Sequence, residues 1–241
     1  MTRRSLLSLP AGFAALQAQP AKPAIFELRY FYLRNTTDNM PGRLNDFLKE
    51  TDLPSSQKAG AAVAYFASNL APKAPFVLAV RSWTSMDQIA EARVKIPTLV
   101  GDSLPYVRVE TQILKAFDGM PAMAARAADK PRVFELRTYE SNNERTLRKK
   151  IGMFNDGEIA IFKKTGLEPV FFGEMVAGPS QPCLVYLLAY DSFAAREANW
   201  AKFLADPDWA KLRATPGLSD GEIVSNISSL FLRPLPFSPV R

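Results

Sequence analysis

The chain has no histidine among its 241 residues. That absence excludes Ser-His-Asp and Cys-His catalysis, histidine-ligated haem and histidine-rich metal centres. Cysteine is nearly as scarce. Cys183 stands alone, so the chain can form neither an internal disulfide nor a thiolate metal cluster. It falls in QPCLVYLLAY, an apolar run with the pattern of a buried strand, where packing is favoured over a reactive thiol. No apolar run reaches the roughly 20 residues of a transmembrane helix, and no basic, aromatic-laced surface of the nucleic-acid-binding kind is visible. No spacing among the carboxylates, Glu174, Asp206 and Asp208 included, matches a metal loop. Neither a metal nor a cofactor is expected.

What is present reads as globular. Hydrophobic residues make up 47% and charged residues 22%, enough for one large or two small domains with a core. The formal charge is +6. Two of the arginines, Arg3 and Arg4, lie in MTRRSLL, which together with the short apolar stretch after it resembles a twin-arginine export leader over residues 1–22. Without those two arginines the charge is about +4, mild enough for solubility and suited to anionic ligands. The expected destination is the periplasm or beyond.

One hexamer is written twice, FELRYF at 26–31 and FELRTY at 134–139. At the same offset of 108, the apolar strand starting at Phe76 meets Leu184; one residue out of register, WTSM at 83–86 meets YDSF at 190–193. Two copies of one unit, residues 23–118 and 132–241, are joined by a linker at 119–131 rich in Ala, Pro and Asp. In the second copy the periodicity predicts a strand at 133–139 and a helix at 144–164 ended by Gly166. Strands follow at 169–175 and 184–190, then a helix capped by Asp191 or Ser192, a helical turn at DPDW, and a strand from Glu222. The first copy predicts strands at 25–33, 61–68, 76–83 and 106–117, with helices at 40–58, interrupted by Pro54, and 85–95. The order β-α-β-β-α-β is the ferredoxin-like arrangement, twice, in an α+β fold. A proline-bearing tail from 234 is expected to lie across the surface.

The second half also carries a resemblance. FELRTY, GLEPVFFGEMVAGP at 166–179, VYLLAYDSFAARE at 185–197 and DPDW at 206–209 are similar to a NIPSNAP domain, and the first half keeps FELRYF more faintly. The resemblance implies a dimeric α/β barrel, here built by two tandem units of one chain, and it implies no particular reaction.

Paired sheets lead to a candidate site. If the Phe and Leu of each hexamer go under the helices, Glu135, Arg137 and Tyr139, with their counterparts Glu27, Arg29 and Phe31, point between the sheets. Charges there need partners. One reading is a pocket for a small polar or anionic molecule, gripped by Arg137 or Arg29 and oriented by Tyr139 or Tyr190. The other is that Glu and Arg pair across strands and hold the sheets in register. A cofactor-free enzyme of oxygenase or isomerase type, with Glu135, Glu27 or Tyr139 moving protons, and a non-catalytic interaction module remain as alternatives. A tandem chain can remain a monomer or form a homo-oligomer. Trp200 and Trp209 read as packing, and Arg145, Arg148, Lys149 and Lys150 as a solvated helix face.

Overall fold

A computed structural model describes residues 22–99, 103–124 and 132–241. The expected leader and part of the linker lie outside them. The described strands are β1 (Ile25–Tyr32), β2 (Ala62–Ser68), β3 (Phe76–Trp83), β4 (Arg108–Ala116), β5 (Val133–Glu140), β6 (Glu168–Ala177), β7 (Cys183–Tyr190) and β8 (Asn226–Pro234). They close into one barrel in the order β1-β3-β2-β8-β5-β7-β6-β4, every pair antiparallel. The first four strands are neighbours, as are the last four. The two sets join at β2–β8, where Phe66 faces Pro234, and at β4–β6, where Ala116 faces Gly173.

Helices cover the outside of the barrel. In the first half they are α1 (Met40–Phe47), α2 (Leu53–Lys58) and α3 (Met86–Lys95). In the second they are α4 (Glu144–Met153), α5 (Ile159–Thr165), α6 (Phe193–Ala205), α7 (Pro207–Arg213) and α8 (Asp220–Ile223). Ser85 and Ser192 cap α3 and α6, each accepting from a backbone N–H three residues on. Gly166 ends α5 with φ of 85°, a left-handed turn that glycine adopts without strain. Among the described residues no helix is long and apolar enough to cross a membrane.

Pro54 does not break the first helix. A π-helical turn, Leu48–Asp52, widens the chain just before it, and the proline falls in the first positions of α2, where its missing N–H is tolerated. The second half has the same turn at Phe154–Glu158 without any proline. The turn is therefore part of the repeated unit. In both copies its last residue is a buried acid, Asp52 or Glu158.

The barrel interior is dry. Phe26, Leu28 and Tyr30 of β1 and Phe134 and Leu136 of β5 pack there with side chains from the remaining strands, including Phe66, Leu78, Leu114, Phe171, Val185 and Leu232. Phe66 meets Phe134 with ring centroids 4.8 Å apart, and Phe26 meets Phe171 at 4.9 Å. Cys183 belongs to the same core, and burial pushes its thiol up to about 11, as expected of an inert packing residue.

This corrects the expected orientation. Phe26, Leu28, Phe134 and Leu136 face the barrel interior, and Glu27, Arg29, Phe31, Glu135, Arg137 and Tyr139 face the helices. A closed barrel of this size is filled by its own side chains, and an ion pair there would lose its water without compensation.

Three other expectations change. Glu222 lies in α8, closing a capping box with Ser219, and the last strand begins at Asn226. Lys150 is buried rather than solvated, donating to Glu158 at 3.1 Å and Asp220 at 3.2 Å. The tail is not a surface strap. Leu235 and Val240 are buried, Val240 in the barrel core, and Ser238 Oγ accepts from the Tyr65 N–H at 2.9 Å.

Truncation after Pro234 should therefore lower the unfolding free energy by about 3–5 kcal/mol, the sum of two lost apolar burials and one hydrogen bond. Urea denaturation followed by circular dichroism measures this, and a surface strap would show almost no change.

Candidate functional site

The two hexamers place equivalent acids in different surroundings. Glu135, fully buried, accepts from Arg196 of α6 through two nitrogens at 2.8 and 2.9 Å, from Arg137 at 2.8 Å and from the Tyr190 hydroxyl at 3.1 Å. Burial alone would raise its pKa. Arg196 and Arg137 outweigh that and hold the carboxyl at about 2. Both terminal nitrogens of Arg137 are engaged, with Glu135, Ser229 and the Tyr139 hydroxyl, and its guanidinium lies 4.8 Å from the Trp200 ring centroid. Trp200 in turn donates to Tyr190 at 2.9 Å. The second-half set of Glu135, Arg137, Tyr139 and Tyr190 is thus brought together and interlocked.

In the first half, β3 changes the arrangement. It carries Arg81 within an otherwise apolar run, directly opposite Glu27 in the register. Arg81 is 2% exposed and donates to Glu27 at 3.1 Å, to Ser56 at 3.1 Å and to Asp52 at the end of the π-helical turn. Asp52 also accepts from the Tyr65 hydroxyl at 2.5 Å. Trp83, the counterpart of Tyr190, donates to Glu27 at 3.3 Å. Arg93 of α3 reaches Glu27 at 3.4 Å with its side chain 61% exposed.

With Glu27 taken by Arg81, Arg29 is left over. Its cross-strand neighbours are Ala79 on β3 and Thr111 on β4, neither of which carries a charge. Arg29 has no hydrogen-bond or ion-pair partner among the described residues, and its one ring contact is with Phe31, 5.2 Å to the centroid. Burial and then the like charge of Arg81 lower its pKa from the usual arginine value.

Arg29 lines a cavity of about 340 Å³ between the outer face of β1, β3 and β4 and the helix α3. Glu27, Arg81 and Arg93 share the wall with Trp83, Ile89, Ile96, Val109 and Thr111. The cavity follows from a difference at one place in the repeat. Counted from the capping serines Ser85 and Ser192, Arg93 stands eight residues on, as Trp200 does. In the second half an indole fills the space over the arginine. In the first half Arg93 extends toward solvent and leaves it open.

Of the residues expected to form a ligand site, Glu27 and Arg29 lie in this cavity. Glu135, Arg137, Tyr139 and Tyr190 form the separate, interlocked set, and Phe31 packs against Tyr106 beside the first-half helices. Sequence reasoning missed Arg81, Asp52 and Arg93. A lone arginine in FVLAVRSW was a usable signal, and so was Arg93 standing at the place of Trp200 in the repeat. Nothing in the sequence announced Asp52, because the π-helical turn shifts the helical register by one residue.

Comparison with known proteins follows the same division of the chain. Residues 134–239 match the NIPSNAP family. A NIPSNAP family protein of Agrobacterium tumefaciens strain C58 is 23% identical over 47% of this chain and 97% of its own, with a TM-score of 0.42. Two longer matches cover both halves. A candidate monooxygenase from Fusobacterium nucleatum is 8% identical over 89% of this chain and 93% of its own, TM-score 0.56. Another from Lactobacillus acidophilus NCFM is 10% identical over 89% and 94%, TM-score 0.52. At these identities the likeness is one of fold, a mixed α+β barrel. No curated protein matches the chain.

Two expected outcomes separate the acids. Arg81→Met strands two buried carboxylates and should cost about 3–5 kcal/mol in chemical denaturation. Glu135 has a folded pKa of about 2 against an ordinary 4.5, so its contribution is complete above pH 4.5 and is lost as pH falls toward 2. Up to about 3 kcal/mol of stability should disappear across that window, and Glu135→Gln should flatten the acid limb of the stability-against-pH curve.

Proposed function

We propose that this chain, whose second half is a NIPSNAP domain, binds a small anionic molecule in the cleft beneath α3, and that its two halves are tandem ferredoxin-like units of which only the first keeps an open site. The observation that carries the reading is Arg29. A guanidinium removed from much of its water, with no carboxylate in direct contact among the described residues and a second arginine close by, is an unfavourable arrangement in the unliganded protein. An arriving anion supplies the missing partner through charge-assisted hydrogen bonds. Arg93, only loosely held at 3.4 Å by Glu27 and largely exposed, stands at the cavity wall and is free to turn toward the same anion.

The cavity size suits a metabolite rather than a polymer. Its 340 Å³ is near the lower end of small-molecule pockets, and its lining mixes apolar side chains with a few polar groups that can fix orientation. The second-half cluster supports the complementary role of architecture. There both carboxylate oxygens of Glu135 and both terminal nitrogens of Arg137 are engaged, and the buried Arg137 Nε is the unpartnered atom of the guanidinium.

The test is a pair of substitutions read in two ways. Arg29→Met removes a desolvated, unpaired charge, so the unliganded protein should unfold at an equal or higher temperature. It should also lose the stabilisation that wild type gains from a panel of carboxylates and phosphate esters, as measured by thermal shift. Arg93→Trp, which restores the residue of the second half, should fill the cleft and abolish the same stabilisation with the fold intact. Strong destabilisation of the unliganded protein by Arg29→Met would instead make Arg29 architectural and sink the proposal.

A further inference from the structure

The chemistry of the cleft restricts the anion further. Among the described residues, Arg29, Arg81, Arg93 and Glu27 are the charged side chains that line the cleft, and Asp52 stands behind it as the partner of Arg81. Three guanidiniums set against two carboxylates, 3 − 2, leave one positive charge. One negative charge on the ligand completes the set. A dianion would overshoot it and place unbalanced negative charge beside Glu27, which is 1% exposed and cannot move away.

Geometry acts in the same direction. A guanidinium presents a planar fork that two carboxylate oxygens match in parallel. Thr111, directly across the strand from Arg29, offers a hydroxyl with no hydrogen-bond partner among the described residues, and Thr98 offers another at the wall. The rest of the wall is apolar. Ile89 and Ala92 of α3, Ile96 at its C-terminal end and Val109 of β4 supply that apolar lining, with Arg93 on the same helix between Ile89 and Ile96. Burying an alkyl or aryl group against these side chains contributes about 0.8 kcal/mol per methylene. At liquid density the cavity would hold about eleven waters, taking 340 Å³ at about 30 Å³ each. The body of the ligand is accordingly short.

We infer that the ligand is a monocarboxylate with a short apolar body, its carboxylate paired with Arg29 and its body lying against Ile89, Ile96 and Val109. This rests on the reading of the cleft as an anion site and adds to it the charge and the polarity of the ligand. The observations that carry it are the unpartnered Arg29, the single surplus charge and the apolar side chains that make up most of the remaining lining.

Isothermal titration calorimetry of the full chain at pH 8 decides the matter with four probes. Hexanoate has both the charge and the body, acetate lacks the body and hexanamide lacks the charge. Hexyl phosphate keeps the body but is a dianion at that pH, since its second pKa is about 6. Hexanoate should bind about tenfold more tightly than each of the other three, and Arg29→Gln should reduce its affinity by at least about tenfold. Because a substitution at Arg29 can act on folding, Arg93→Trp at an exposed position serves as a second variant and should also prevent binding. Equal or tighter binding of hexyl phosphate, lost in Arg29→Gln, would overturn the monocarboxylate inference and leave the anion site standing. Binding of hexanamide equal to that of hexanoate, or no binding by any probe, would overturn both.

Discussion

The barrel interior must be filled by apolar side chains, and most features of this protein follow from that requirement. Eight antiparallel strands closed on themselves leave room inside for Phe26, Leu28, Phe134, Leu136 and their neighbours, and none for hydrated charge. Because side chains alternate along a strand, fixing Phe and Leu inward fixes Glu and Arg outward. They then lie beneath the helices, on a surface that is covered but not sealed. Each buried acid there must find a cation, and the choice of cation decides whether any space remains.

The two halves resolve the same problem differently. In the second, α6 supplies Arg196 to Glu135 and Trp200 to the space above Arg137, so charge and volume are satisfied together. In the first, the cation for Glu27 comes from the sheet itself, as Arg81, and this strand-borne arginine is also held by Asp52 from the π-helical turn. Glu27 is released from its neighbour two residues on, and Arg29 is left facing the cavity. The two halves differ here at a small number of corresponding places: Arg81 against Leu188, Ala79 against Tyr186, and Arg93 against Trp200. The half that matches the NIPSNAP family, residues 134–239, is the closed one.

Much of this architecture was legible in the residues. The doubled hexamer, the capping serines and the alternation of apolar runs gave the strands and helices in order, and Gly166 marked a helix end correctly. The inward and outward faces came out reversed for a physical reason. In a barrel wrapped by helices both faces of a strand are covered, so the pattern Phe-Glu-Leu-Arg says that the faces differ without saying which is the drier. That is decided by closure of the barrel, a long-range fact. Lys150 was misread for a related reason, since its partner Glu158 arrives through a π-helical turn that breaks the periodicity on which helix faces are assigned. The prolines after β8 looked like a tail because proline cannot continue a central strand, yet the segment is bound to β2 by Leu235 and Ser238.

That last attachment has a consequence for the order of events during synthesis. Ser238 accepts from Tyr65 across a separation of 173 residues, and Val240 enters a core lined by strands of both halves. While a ribosome still holds the second half, β2 lacks the neighbour that covers its edge, and an uncovered edge is a template for pairing with another chain. The first half thus emerges early and is finished late. The barrel interior that Phe26 and Leu28 enter therefore stays incomplete until β8 and the segment that follows it are in place.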